Sequence, residues 1–118
     1  MLERTDALSA SEVSEWGDPL LDPKDYHTLS SYAPYDNVHP DLIQTTSILI
    51  IAGLHDARVP IWHSLKYAAR VRSSSSPQAQ TRLVVQVYET KGHLTEHEES
   101  QLEERSLEIA FILNSTSK

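Results

Sequence analysis

Apolar side chains are spread unevenly along this chain. From residue 1 to 47 the aliphatics rarely cluster, and four of the six prolines fall there: Pro19, Pro23, Pro34 and Pro40. Short helical turns are expected around Leu8 to Trp16 and Asp22 to Ser31, with Ser9 or Ser11 available to cap the first through a hydroxyl oxygen. Nothing in this lead-in reads as a strand of a central sheet. From 48 to 113 the pattern tightens. Ile48 to Ala52 is an unbroken aliphatic run, which fits a strand buried on both faces of a parallel sheet. Pro60 stands where a helix can begin, because its missing N–H is no loss in a first turn. Ile61, Leu65 and Ala68 then form an apolar stripe at helical spacing. The stretch Ser73-Ser74-Ser75-Ser76-Pro77 closes that helix as an exposed connection. Leu83 to Tyr88 is a second strand. From about Glu96 to Leu113 the spacing is helical again, with Leu102, Ile109, Ala110 and Leu113 on one side.

Strand, helix, strand, helix predicts an α/β fold with a right-handed βαβ unit and a final helix packed on the sheet. Two parallel strands do not make a sheet that covers itself, and a lead-in with little regular structure adds little cover. The expectation is a partial domain that needs further chain, or a partner, to complete its core.

The charge narrows the partners. Ten basic and 17 acidic side chains give a net charge of −7. That sign disfavours nucleic acid, which requires Lys and Arg to displace counterions. No apolar run is long enough to span a bilayer, so no membrane partner is expected. There is no cysteine, which rules out a disulfide framework and thiolate metal sites. The first residues lack a basic stretch followed by an apolar one, so a secretory leader is not expected and a cytoplasmic location is. Asn114-Ser115-Thr116 matches the glycosylation sequon, and with no leader expected the match is read as chance.

Two residues sit where catalytic side chains are placed in parallel sheets. Asp56 follows the end of the first strand by four residues, and His93 follows Tyr88 by five. Loops at the C-terminal ends of parallel strands converge, so residues distant in sequence can meet there. An acid that orients a histidine, which in turn serves a nucleophile, requires such a meeting. The plainer alternative is that Asp56 only forms a turn, as Asp often does in such loops.

A series of motifs carries a resemblance. In order they are Glu15-Trp16-Gly17-Asp18-Pro19, Ser31-Tyr32-Ala33-Pro34-Tyr35-Asp36-Asn37-Val38, Gly53-Leu54-His55-Asp56-Ala57-Arg58-Val59 and Gly92-His93. The closing Ala110-Phe111-Ile112-Leu113 fits as well. From Glu12 to Leu113 the chain resembles the end of the catalytic domain of the prolyl oligopeptidase family of serine peptidases, the oligopeptidase B branch in particular. The resemblance implies the C-terminal portion of an α/β-hydrolase fold, with parallel strands, a crossover helix and a terminal helix. It implies hydrolysis of short peptides, with no metal or organic cofactor. By that resemblance Asp56 is the triad acid and His93 the base. Arg58 is implied to hydrogen-bond a backbone carbonyl of the peptide, a role suited to a fixed charge with several directed donors. Glu12 falls at the first of two acidic positions that select Arg or Lys, while Ser14 occupies the second. Trp16 is implied to line the substrate cleft.

The family pattern is incomplete in these 118 residues. No Gly-x-Ser-x-Gly nucleophile elbow occurs, and Ser73 to Ser76 have neither flanking glycines nor a strand leading in. The chain is expected to be inactive alone and to need the rest of a catalytic domain. One alternative is a non-catalytic remnant that binds a partner along an open sheet edge. A weaker one is a zinc peptidase through His93, Glu96 and His97, which match H-x-x-E-H, with Glu103 or Glu108 as a third ligand. Gly92 counts against it, since it marks a turn where the first ligand would need a helix.

Overall fold

A computed structural model of the chain describes residues 11–89 and 98–117. The chain divides into two compact units, residues 1–39 and 40–118.

In the first unit, α1 is a single turn, Val13–Trp16. A longer helix, α2, spans Pro23–Ser30. Its start follows from sequence: Asp22 accepts the Lys24 N–H at 2.8 Å, and Pro23 supplies a first residue with φ already set. Its end is held by Asn37, whose Nδ2 donates to Ser30 O at 2.7 Å and Ala33 O at 2.8 Å. The segment Ser31 to Val38 is therefore a turn closed by its own asparagine. Leu29 and Val38 are the buried hydrophobics of this unit among the described residues.

The second unit opens with α3, Pro40–Ile43, a turn the sequence pattern did not predict. Next come β1, Ser47–Gly53, α4, Trp62–Ser74, and β2, Arg82–Tyr88. The last element is α5, Glu98–Thr116. β1 and β2 pair in parallel from Ser47↔Arg82 to Gly53↔Tyr88, with α4 as the crossover. The predicted strand–helix–strand–helix order is present. α4 packs on both strands and on α3, and α5 packs on β1. Residues 40–47, which the aliphatic pattern groups with the lead-in, are bonded to this unit. Gln44 Oε1 accepts the Ser76 hydroxyl at 2.8 Å, Gln44 O accepts the Gln80 N–H at 2.7 Å, and the Thr81 hydroxyl donates to Ile43 O.

Three expectations about burial change. β1 is not buried on both faces; every residue from Ser47 to Gly53 is half-buried. The described sheet has two strands, so each strand keeps an open edge and the helices cover it only in part. The inner face of α4 is carried by Ala68 and Val71, the latter 0% exposed, while Leu65 is 46% exposed. Leu65 instead borders a groove of about 870 Å³ between α4 and β2, with Leu83 and Val85 on the strand side. In α5 the side bearing Leu102, Ile109 and Leu113 is exposed, as is Ala110, and Leu107 and Phe111 are its half-buried hydrophobics among the described side chains. Pro60 stands two residues before the first helical residue of α4, its carbonyl accepting the His63 N–H at 3.0 Å. No described helix is long and apolar enough to cross a membrane.

These burials predict unequal costs. In the 118-residue protein Val71→Ala is expected to lower the free energy of unfolding by about 2 kcal/mol, from lost contacts and the cavity left behind. Leu65→Ala is expected to cost less than about 0.5 kcal/mol, as surface changes do. Urea titration of both variants checks this, and equal losses would contradict the orientation of α4.

Candidate active site

Asp56 lies three residues beyond the end of β1, in a loop opening at Gly53. Its position follows from the pairing below it. Gly53 is opposite Tyr88, and the Leu54 N–H continues the ladder to Tyr88 O at 2.9 Å. The side chain is half-buried, and Oδ1 accepts two backbone donors, Arg58 N–H at 2.8 Å and Val59 N–H at 2.9 Å. Asp56 is thus a turn former, as the plainer reading held. That does not exhaust it, because a carboxylate has a second oxygen with its own acceptor sites. The two N–H bonds fix the plane of the carboxylate while the loop stands at the C-terminal end of the sheet.

Arg58 follows in the same loop and is exposed. Leu54, Val59 and Trp62 around it are each exposed by about two-fifths, and Trp62 stacks on His63 with centroids 6.1 Å apart. His93, Glu96 and His97 lie outside the described residues. The structure therefore delivers the two strands that precede Asp56 and His93 to adjacent positions, Gly53 beside Tyr88. Among the described residues no group of three or more His, Asp or Glu side chains is arranged to hold a metal.

Glu12 and Trp16 belong to the first unit. Glu12 is the N-cap residue of α1 without a side-chain cap bond, its carbonyl accepting the Glu15 and Trp16 N–H groups at 2.9 Å each. Trp16 is 46% exposed. α1 ends at Gly17, where φ is +84°, a conformation that side chains with a Cβ rarely adopt. A Cβ there would also overlap the Asp25 carboxylate. That carboxylate accepts the Asp18 N–H at 2.9 Å, and Asp18 Oδ1 in turn accepts the Leu20 N–H at 3.1 Å. Asp25 and Asn37 are the residues that sequence reasoning did not single out. Both work through backbone groups several positions away. A glycine directly after Trp16 is the local sign of a turn there; nothing local points to Asp25 as its support.

The family model for the prolyl oligopeptidase family matches residues 1–118 of this chain. The chain belongs to the prolyl oligopeptidase family. Members of known sequence make the match concrete. A prolyl endopeptidase-like protein of Gallus gallus is 30% identical over 89% of the chain. Protease 2 of Moraxella lacunata is 33% identical over 97% of it, and the prolyl endopeptidase of Dictyostelium discoideum is 33% identical over 94%. The chain spans 15%, 16% and 14% of these relatives' lengths, respectively. It is a serine peptidase family member, matched over 89–97% of its length to a small part of each of these relatives.

The two roles open to Asp56 separate by substitution. Asn keeps an oxygen that accepts both N–H groups, so Asp56→Asn should change the stability of the 118-residue protein by less than about 0.5 kcal/mol. Asp56→Ala leaves both donors without that acceptor and should cost about 1–2 kcal/mol. Thermal and urea unfolding of the two variants test this; equal stability of Asp56→Ala and wild type would contradict the turn-forming role.

Proposed function

We propose that this chain supplies the acid and the base of a serine peptidase active site, Asp56 and His93, to a complete α/β-hydrolase catalytic domain that cleaves short peptides. The observation that carries the reading is the parallel pair β1–β2, whose C-terminal ends stand side by side at Gly53 and Tyr88 in a chain matched throughout by the family. In this reading β1 and β2 are two strands of a larger parallel sheet. Further strands cover the open edge and the groove between α4 and β2.

The chemistry assigned to the residues follows from their acid–base character. His93 accepts the proton of a serine hydroxyl as its oxygen attacks the scissile carbonyl. Asp56 accepts the other imidazole N–H, holding the tautomer that leaves a lone pair toward the serine, and stabilises the imidazolium that forms. The tetrahedral oxyanion is stabilised by hydrogen-bond donors next to the nucleophile. His93 then gives its proton to the leaving amine, the C–N bond breaks and an acyl-serine remains. Water repeats the sequence: His93 takes its proton, its oxygen attacks the ester, and the serine regains the proton as the acid product leaves. Arg58 donates to a backbone carbonyl of the bound peptide. Glu12 attracts a basic side chain of the substrate, and Trp16 contributes to substrate binding. With Ser14 in place of a second carboxylate, the preference for Arg or Lys is weaker than a paired site would give.

No Gly-x-Ser-x-Gly elbow occurs in these 118 residues. The 118-residue protein alone should therefore release no fluorophore from basic or prolyl peptide substrates. Turnover that His93→Ala abolishes would contradict this. In the complete enzyme, Asp56→Asn should fold normally and lower kcat about 10⁴-fold, since the wrong tautomer of the base is then favoured. Wild-type kcat in His93→Ala would overturn the assignment.

A further inference from the structure

The turn that follows α1 is held by a side chain to which the mechanism above gives no part. α1 is one turn long, carries no side-chain cap bond and has no buried residue. A single turn is not stable by itself, because the first hydrogen-bonded ring fixes several dihedrals for little return. Its direction must be set by what holds its ends. The C-terminal end runs through Gly17, with φ +84° and ψ 179°, its N–H donating to Val13 O at 3.0 Å. The Asp25 carboxylate occupies the space a Cβ at Gly17 would need, and Asp25 Oδ2 accepts the next N–H, that of Asp18, at 2.9 Å. Asp25 is itself well anchored. It is the third residue of α2, whose start is fixed by Pro23 and by the Asp22 cap, and a carboxylate in a first turn is favoured by the helix dipole.

We propose that Asp25 is a positioning residue for Glu12 and Trp16, acting through the Gly17–Asp18 turn, and that it thereby helps set the preference for a basic side chain at the cleavage site. The proposal rests on the reading of Glu12 and Trp16 as substrate-binding residues. Loss of the carboxylate takes this acceptor from the Asp18 N–H and lets α1 swing, so that the Glu12 charge and the Trp16 ring no longer stand at fixed places. Asp56 and His93 lie in the other unit and keep their chemistry, so binding is affected rather than the reacting groups.

The test uses the complete enzyme with Arg and Ala substrates. Asp25→Ala should raise KM for the Arg substrate about tenfold while kcat stays within about twofold, the scale expected for one charge-assisted hydrogen bond. Asp25→Asn, whose carbonyl still accepts the Asp18 N–H, should stay within about threefold of wild type. Gly17→Ala, which drives a Cβ against the carboxylate, should reproduce the KM rise. Glu12→Gln is measured beside them and should flatten the preference for Arg. An unchanged preference in Glu12→Gln overturns the reading of Glu12 and the proposal with it. A changed preference in Glu12→Gln with an unchanged KM in Asp25→Ala overturns the proposal and leaves that reading standing. Equal losses on both substrates, or no rescue by Asn, overturn it too. If Asp25→Ala fails to fold in the enzyme, the anisotropy of Trp16 fluorescence in the 118-residue protein bearing Trp62→Phe decides. It should fall in Gly17→Ala and hold in Asp25→Asn; no change in Gly17→Ala overturns the proposal.

Discussion

The parallel pairing of β1 with β2 is the constraint on which the rest depends. Because the strands run the same way, their C-terminal ends are neighbours, and every loop that leaves them starts at the same edge of the sheet. Antiparallel pairing would have sent the Asp56 loop and the chain toward His93 to opposite edges. The crossover needed to make the strands parallel is supplied by α4, and α4 is held by Val71 and Ala68 against the strands and by Gln44 at the serine-rich connection. Packing in the crossover is thus linked directly to the site, since a shift of β2 along β1 would move one loop past the other by a residue.

A second constraint acts in the first unit, and it is made of backbone hydrogen bonds rather than apolar burial. Asp22 and Asn37 satisfy backbone groups at the two ends of α2, and Asp25 accepts the Asp18 N–H of the turn after α1. This is how a segment with few buried hydrophobics keeps a defined course. It also gives the motifs Glu15-Trp16-Gly17-Asp18-Pro19 and Ser31 to Val38 a physical meaning: the first is a turn that only glycine fits, the second a helix end closed by asparagine.

Much of this was legible in the sequence. The aliphatic runs at Ile48 and Leu83 marked the strands, and the helical turn expected over Asp22 to Ser31 is α2. The places of Asp56 and His93 after two strands suggested a shared edge; the strand ends at Gly53 and Tyr88 do share one, while His93 lies outside the described residues. Which face of each helix turns inward was not legible. α4 and α5 carry apolar residues on more than one side, so a stripe such as Leu102, Ile109 and Leu113 competes with Leu107 and Phe111, and spacing does not choose between them. In a sheet of two strands the cover decides, and the stripe facing outward here is the one periodicity favours. α3 is a single turn, too short for any period to show. Asp25 escaped because its role arises from the positive φ of a glycine eight residues away.

The central claim is that Asp56 and His93 act as one unit. A double-substitution cycle in the complete enzyme measures this most directly, through kcat/KM of wild type, Asp56→Asn, His93→Ala and the combined variant. Groups that act together lose their effect together. The account predicts that the combined variant is no slower than His93→Ala alone. Losses that multiply, so that the two substitutions act independently, would contradict it.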